Sequence, residues 1–177
     1  MIIILEGPDR SGKTEIGLEL TKIINCSYFK NHYDVKNFYG TGDHYISVIS
    51  EMFYLLNFLE QVPLKNKNLI LDRFHLTEWA YANAYRRKTN KTLLKELDKK
   101  LTDFNSVVIY CYKNNYVNFD DDHVNINMID KIKDSYHEIL NESSLPILHL
   151  NTEDEILKRE INEICNFLSK QKGGEND

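Results

Sequence analysis

The chain reads as an α/β protein, a three-layer sandwich in which a five-stranded parallel sheet is flanked by helices. Three observations predict it. Short apolar runs alternate with segments of helical period along the whole sequence, the order that a parallel sheet with crossover helices requires. The first run, Ile2-Ile3-Ile4-Leu5, is too short for a helix and too apolar for a surface loop, so it is a buried strand. It passes at once into Gly7-x-x-x-x-Gly12-Lys13-Thr14 and then Glu15-Ile16-Gly17-Leu18-Glu19-Leu20, the strand, turn and helix start that a phosphate-binding loop needs around it.

The remaining elements follow in order. Behind the loop, Ile16, Leu18, Leu20, Ile23 and Ile24 give a helix one apolar face, ending near Asn25, and residues 26–29 form a second short strand. Residues 30–42 alternate polar and aromatic side chains without a period, a length of loop that is often functional. From 43 to about 61, Ile46, Ile49, Met52, Phe53, Leu56 and Leu59 keep helical spacing until Val62-Pro63 stops it. Residues 68–72 are a strand ending in an acid, followed directly by Arg73-Phe74. Helices are predicted from about 76 to 87 and from 91 to 101, with the clearest strand of the chain at 106–112. A polar stretch, 113–123, contains Asp120-Asp121-Asp122; a helix at about 126–140, a last strand at 145–150 and a final helix from 153 to about 170 complete the pattern.

Composition sets the bounds. A length of 177 residues suits a single domain with one well-buried core, and 42% hydrophobic with 28% charged residues is ordinary for a soluble globular protein. No apolar run approaches the roughly 20 residues that span a bilayer, and the N-terminal run lacks the flanks of a secretion signal, so a cytoplasmic protein is expected. Cys26, Cys111 and Cys165 are far apart, with no histidine at ligand spacing, and read as free thiols. A net charge of −5 argues against broad attraction to nucleic acid or to an anionic membrane, while leaving room for a local basic pocket.

The candidate site residues sit at strand ends. In parallel sheets, ligands bind beyond the carboxyl ends of the strands, and both the loop after the first strand and Asp72-Arg73 after the third fall on that rim. Gly7 and Gly12 allow backbone dihedrals that a Cβ forbids, so that the loop amides through Arg10 and Ser11 can face one anion. Lys13 reaches the β and γ phosphates, Thr14 offers a hydroxyl to Mg²⁺, and the helix dipole adds positive potential. Asp72 orders Mg²⁺, accepts a proton, or merely caps the next helix. Arg73 suits a fork-shaped contact with an anion, and Arg10 would lie beside a transferring phosphoryl group. Asp9 positions a nucleophile or pairs with a cation. Glu78 and Tyr81, three apart on one helix face, are candidates to line an acceptor pocket. Arg86-Arg87-Lys88 either touches phosphates or compensates a helix dipole.

At these residues a family resemblance emerges. Glu6-Gly7-Pro8-Asp9-Arg10-Ser11-Gly12-Lys13-Thr14 resembles the loop of thymidylate kinases, and Leu71-Asp72-Arg73-Phe74 is similar to their Asp-Arg-Tyr motif with Phe in place of Tyr. Glu60-Gln61-Val62-Pro63-Leu64 falls where eukaryotic members have a similar helix end. The resemblance extends with gaps over roughly residues 1–165, and the first two motifs are its specific part. One subclass carries a catalytic arginine in the loop and none in the lid; here Arg10 is present and the candidate lid, about 113–125, contains no arginine. Counting back from Glu60, the family's thymine-stacking Phe falls at Tyr54 and its base-bonding Arg at Phe58, which cannot donate that bond. The family's arginine after the second strand has no clear counterpart, with Lys30 or Lys36 as substitutes. The run Phe74-His75-Leu76-Thr77-Glu78-Trp79-Ala80-Tyr81 looks closer to phage-type and deoxynucleoside-kinase-like relatives.

The resemblance implies a P-loop kinase that moves a phosphoryl group from ATP, with Mg²⁺, to a deoxynucleoside monophosphate such as dTMP. Lys13, Thr14 and the loop from Gly7 to Gly12 would hold the donor, with Arg10 offsetting charge on the moving group. Asp72 would organise the metal, Asp9 position the acceptor and Arg73 grip its phosphate, with Tyr54, Phe58, Glu78 and Tyr81 on the acceptor side. The partner is then a small nucleotide; a homodimer is left open. Two alternatives stand beside it. One is a kinase for a hydroxyl acceptor, on a deoxynucleoside or a hydroxymethylated base in DNA, with Asp9 or Asp72 as base. The other is a non-catalytic nucleotide-binding protein.

Overall fold

The computed structural model describes residues 1–30, 44–61, 68–116 and 126–173. The element order is β1 (Ile2–Glu6), α1 (Lys13–Ile23), β2 (Cys26–Lys30), α2 (His44–Gln61), β3 (Asn68–Asp72), α3 (His75–Ala84), α4 (Lys91–Thr102), β4 (Val107–Tyr112), α5 (Ile126–Leu140), β5 (Ile147–Asn151) and α6 (Leu157–Gly173). The five strands form one sheet in the order β2-β3-β1-β4-β5, every pair parallel. No described helix is long and apolar enough to cross a membrane.

The continuous apolar run of β1 follows from having both faces covered. Ile2 and Ile4 pack with residues of α2, α3, α4 and α5, whereas Ile3 and Leu5 pack with Ile16 and Leu20 of α1 and Ile161, Ile164 and Leu168 of α6. The period of two along β3 and β4 splits in the same way: Leu69, Leu71, Val108 and Tyr110 on one face, Ile70, Val107, Ile109 and Cys111 on the other. All four aliphatic residues of β1 are fully buried, each contributing about 1.5–3 kcal/mol by removal from water. The three layers are thus α1 and α6, the sheet, and α2 to α5.

Several boundaries and faces differ from the sequence expectation. Leu18 and Ile23, placed on the apolar face of the first helix, are about half exposed, as is Ile46 of α2. The third helix was expected to reach 87 but closes at Ala84, because Arg86 takes a left-handed φ of 52° and Arg87 returns its amide to the Ala82 carbonyl. The final helix begins at Leu157 rather than 153, because Glu155 is also left-handed, with φ 53°, and residues 152–156 make a turn. Cys111 is buried and Cys26 and Cys165 are half-buried, all three unbridged. The 31–43 loop with Lys36, the Val62-Pro63 stop, the Asp120-Asp121-Asp122 run and most of the candidate lid lie outside the described residues.

Candidate active site

The sheet register brings the site together before any side chain is considered. Leu5 of β1 lies beside Asp72 of β3, and Glu6 lies beside Tyr110 of β4, so the turns leaving these strands share one rim. Gly7 has φ 136°, and a Cβ there would sit 2.0 Å from the Cys111 carbonyl oxygen. The loop can therefore cross the β4 tip only with glycine at this position. Gly12, φ 77°, is the N-cap of α1 and faces Thr152, whose hydroxyl donates to the Ser11 carbonyl at 3.2 Å. The Ser11 hydroxyl donates to the Pro8 carbonyl at 2.9 Å. Lys13 folds back over its own loop, its ammonium donating to the Pro8 carbonyl and to Ser11 Oγ. Burial lowers its pKa to about 8, helped by the Arg73 guanidinium and opposed by Asp9, Cys111 and Asp72.

A second network fixes the turn after β3. Glu6, fully buried, accepts from the Phe74 amide at 3.0 Å, from the Thr77 hydroxyl and from the Tyr136 hydroxyl at 3.1 Å. With the Arg73 amide donating to the Leu5 carbonyl at 2.9 Å, this holds Arg73 at a left-handed φ of 74°. The guanidinium pairs with one oxygen of Asp9 and lies 5.3 Å from the Tyr81 ring centre, while the Tyr81 hydroxyl donates to the other Asp9 oxygen at 2.8 Å. Asp72, 1% exposed, accepts on Oδ2 from the Thr14 hydroxyl at 2.8 Å and from the Tyr28 hydroxyl at 2.5 Å. Lys30 donates to Thr14 Oγ1 at 3.2 Å.

These groups open into one cleft of about 460 Å³, lined by Asp9, Arg10, Lys13, Thr14, Asp72 and Arg73 and also by Lys113, Thr152 and Glu155. Three cations and two carboxylates from the loop and the β3 tip thus meet in one space large enough for a small ligand. Among the described residues no group of three or more His, Cys, Asp or Glu side chains could hold a metal ion. The oxygen donors beside the loop are the Thr14 hydroxyl and the Asp72 carboxylate, a pair suited to a hard cation that keeps several waters.

Comparison with known proteins places the architecture. The YorR protein of Bacillus subtilis, solved with phosphorylated GDP, matches with TM-score 0.71 at 19% identity, covering 100% of both chains. A thymidylate kinase from Candida albicans matches with TM-score 0.68 at 16% identity over 99% of this chain and 95% of that one. A thymidylate kinase from Ehrlichia chaffeensis gives TM-score 0.57 at 19% identity over 96% and 98% of the two chains. The chain has the thymidylate kinase fold. No protein-family model matches the sequence, and no curated protein does.

Within this thymidylate kinase fold, the residues singled out from the sequence separate into two groups. The loop residues, Asp72 and Arg73 come together in the cleft, and Tyr81 adjoins it through Asp9. Tyr54 and Phe58 are instead 75% and 51% exposed, one turn apart on α2, and do not line it. Glu78 does not line it either: its buried carboxylate takes both terminal nitrogens of Arg87, at 2.8 and 2.7 Å, and the Thr89 hydroxyl at 2.9 Å. Arg87 accordingly pairs with that carboxylate. Sequence reasoning missed Tyr28, Thr152 and Glu155, and gave Lys113 only as the start of the candidate lid. For Tyr28 a signal existed, since alternation along β2 puts it on the same face as Lys30, beside β3. Thr152 and Glu155 belong to the turn between β5 and α6, where residues from 153 on read as helix; Glu155 pairs with Lys113 after β4, and Glu153 accepts from the Asn114 and Asn115 amides at 3.1 and 3.2 Å.

Proposed function

We propose that the chain is an ATP-dependent kinase of a deoxynucleoside monophosphate, yielding the diphosphate. The observation that carries this reading is the shared cleft: Lys13 and Thr14 of the loop face the same space as Asp72 and Arg73, with Thr14 bonded directly to Asp72. In the reaction a phosphate oxygen of the acceptor attacks the γ-phosphorus of ATP, and the bond from that phosphorus to the β–γ bridging oxygen breaks. Such a transfer needs alignment and charge neutralisation more than covalent chemistry.

Each residue then has a task. The loop amides and Lys13 bind the triphosphate tail; Lys13 leaves the Pro8 carbonyl for phosphate oxygens, which also restores its preference for the charged form. Arg10, on the loop and lining the cleft, offsets charge on the moving group. Arg73, held in place through Asp9 and Tyr81, grips the acceptor phosphate. Mg²⁺, when bound, supplies further charge neutralisation on the donor, and Thr14 and Asp72 are the residues that would hold it.

A phosphate acceptor is favoured over a hydroxyl because Asp72, one of the two candidate bases, is given to the metal, and because of the state of Asp9. Both of its oxygens are engaged, one by a guanidinium and one by a phenol, so it is poorly placed to take a proton from an alcohol. A phosphate oxygen requires no base. The test is a panel of nucleoside monophosphates, nucleosides and hydroxymethylated DNA incubated with ATP and Mg²⁺, with products identified by mass. Diphosphates from one or more deoxynucleoside monophosphates are expected. Phosphorylated nucleoside or DNA with no diphosphate would overturn the choice of acceptor, and no product from any member would leave a binding protein without turnover.

A further inference from the structure

The edge strand β2 contributes two side chains that the loop and β3 motifs do not account for: Lys30, which lines the cleft, and Tyr28, which stands behind it against Asp72. Tyr28 and Lys30 alternate onto the sheet face covered by α1, Tyr28 level with Ile70 and Lys30 level with Asp72. Lys30 contacts Thr14 and Tyr28 contacts Asp72, so β2 touches both members of the Thr14–Asp72 pair.

The path of the Tyr28 ring is built into the helix above it. A Cβ on Gly17 would lie 2.4 Å from Tyr28 Cε2 and 2.9 Å from Cδ2, closer than packed atoms approach. Glycine is the poorest helix former after proline, yet it occupies a buried mid-helix position of α1 where the ring passes. That notch lets the phenol cross beneath α1 to Asp72. The hydroxyl donates to Asp72 Oδ2 at 2.5 Å. Both Asp72 bonds fall on Oδ2, leaving Oδ1 without a donor among the described residues.

We propose that Tyr28 is a positioning residue for the cation site: seated in the Gly17 notch, its hydroxyl pins Asp72 through Oδ2 and reserves Oδ1 for the metal or for water bound to it. The inference rests on the kinase reading of the cleft. Groups that orient a metal's ligands act at this distance, and their removal typically weakens metal affinity about 10–100-fold.

The test uses Mn²⁺ as probe, with binding followed by electron paramagnetic resonance in the presence of a non-hydrolysable ATP analogue. Tyr28→Phe keeps the ring in the notch and removes only the hydroxyl. It is expected to weaken Mn²⁺ binding about tenfold while the analogue's metal-free affinity and the melting temperature hold. Gly17→Ala keeps the hydroxyl and displaces the ring; it is expected to weaken Mn²⁺ binding similarly, and to have no further effect when combined with Tyr28→Phe. Equal Mn²⁺ affinity in Tyr28→Phe and the wild type would overturn the role of Tyr28, and full additivity in the double variant would overturn the role of the notch. A wild-type chain that takes up no Mn²⁺ with the analogue would instead bring down the kinase reading itself, and the role of Tyr28 with it.

Discussion

At the scale of single residues, Lys13 concentrates the argument, because its ammonium is buried without a carboxylate directly bonded to it. In the unfolded chain it titrates near 10.5 and in the folded chain at about 8. Between those values the unfolded state holds more proton, so the contribution of Lys13 to stability rises with pH across that window and is unfavourable below it. Lys13→Met should therefore raise the melting temperature relative to wild type most clearly below pH 8, with the difference shrinking as pH climbs to 10.5. The same substitution should cut kcat by about 10²–10³-fold, the usual result of removing one group aimed at developing charge. Calorimetry in buffers of different ionisation enthalpy, just above pH 8, should reveal proton uptake when wild type binds ATP and none in the variant. The two loop glycines separate in the same spirit. Gly7→Ala drives a methyl into the Cys111 carbonyl and should abolish nucleotide binding. At Gly12 a Cβ would meet its nearest atom at 3.8 Å, so Gly12→Ala should cost only about 1–2 kcal/mol for the left-handed backbone, measurable by denaturant titration.

At the scale of elements, α3 carries a structural pair that its sequence disguises. Glu78 and Tyr81 lie on neighbouring turns, but the left-handed Arg86 reverses the chain and brings Arg87 and Thr89 over Glu78, leaving Tyr81 to reach Asp9. Arg87→Met would strand a carboxylate that is 4% exposed. A loss of roughly 3 kcal/mol in unfolding free energy is expected, discounted to the low end of buried-pair values because Arg87 itself is partly exposed. Chemical denaturation checks it. This pair marks where the sequence stops being legible. Strand positions and their two covered faces follow from period and apolarity, which are local. The ends of α3 and α6 depend on arginine and glutamate adopting left-handed dihedrals that neither residue advertises. Tyr54 and Phe58 fall outside the cleft for a related reason: helical spacing specifies their shared face on α2 but not which way the packing of Ile49, Met52 and Leu56 turns it.

At the scale of the whole molecule, the cleft is assembled from the loop after β1, the tip of β3, the edge strand β2 and the turn between β5 and α6, elements scattered across the sequence. The loop and the Asp72-Arg73 pair were legible because each is contiguous and sits at a predictable strand end. The Tyr28, Thr152 and Glu155 contributions were not, since they depend on strand order and on one turn. Because the cleft joins the tips of both halves of the sheet, a ligand there is linked to global unfolding. A nucleotide at about 100 times its dissociation constant adds roughly 2.7 kcal/mol. For a chain of this length each kcal/mol moves the midpoint by about 2–4 °C, so ATP with Mg²⁺ should raise the melting temperature by about 5–10 °C. If Thr14 and Asp72 hold the metal, chelation with EDTA should remove at least half of that shift while leaving the ligand-free midpoint unchanged. A shift that survives EDTA intact would mean that Lys13 and the loop amides bind the nucleotide unaided, and would separate anion recognition by the loop from any part played by Asp72.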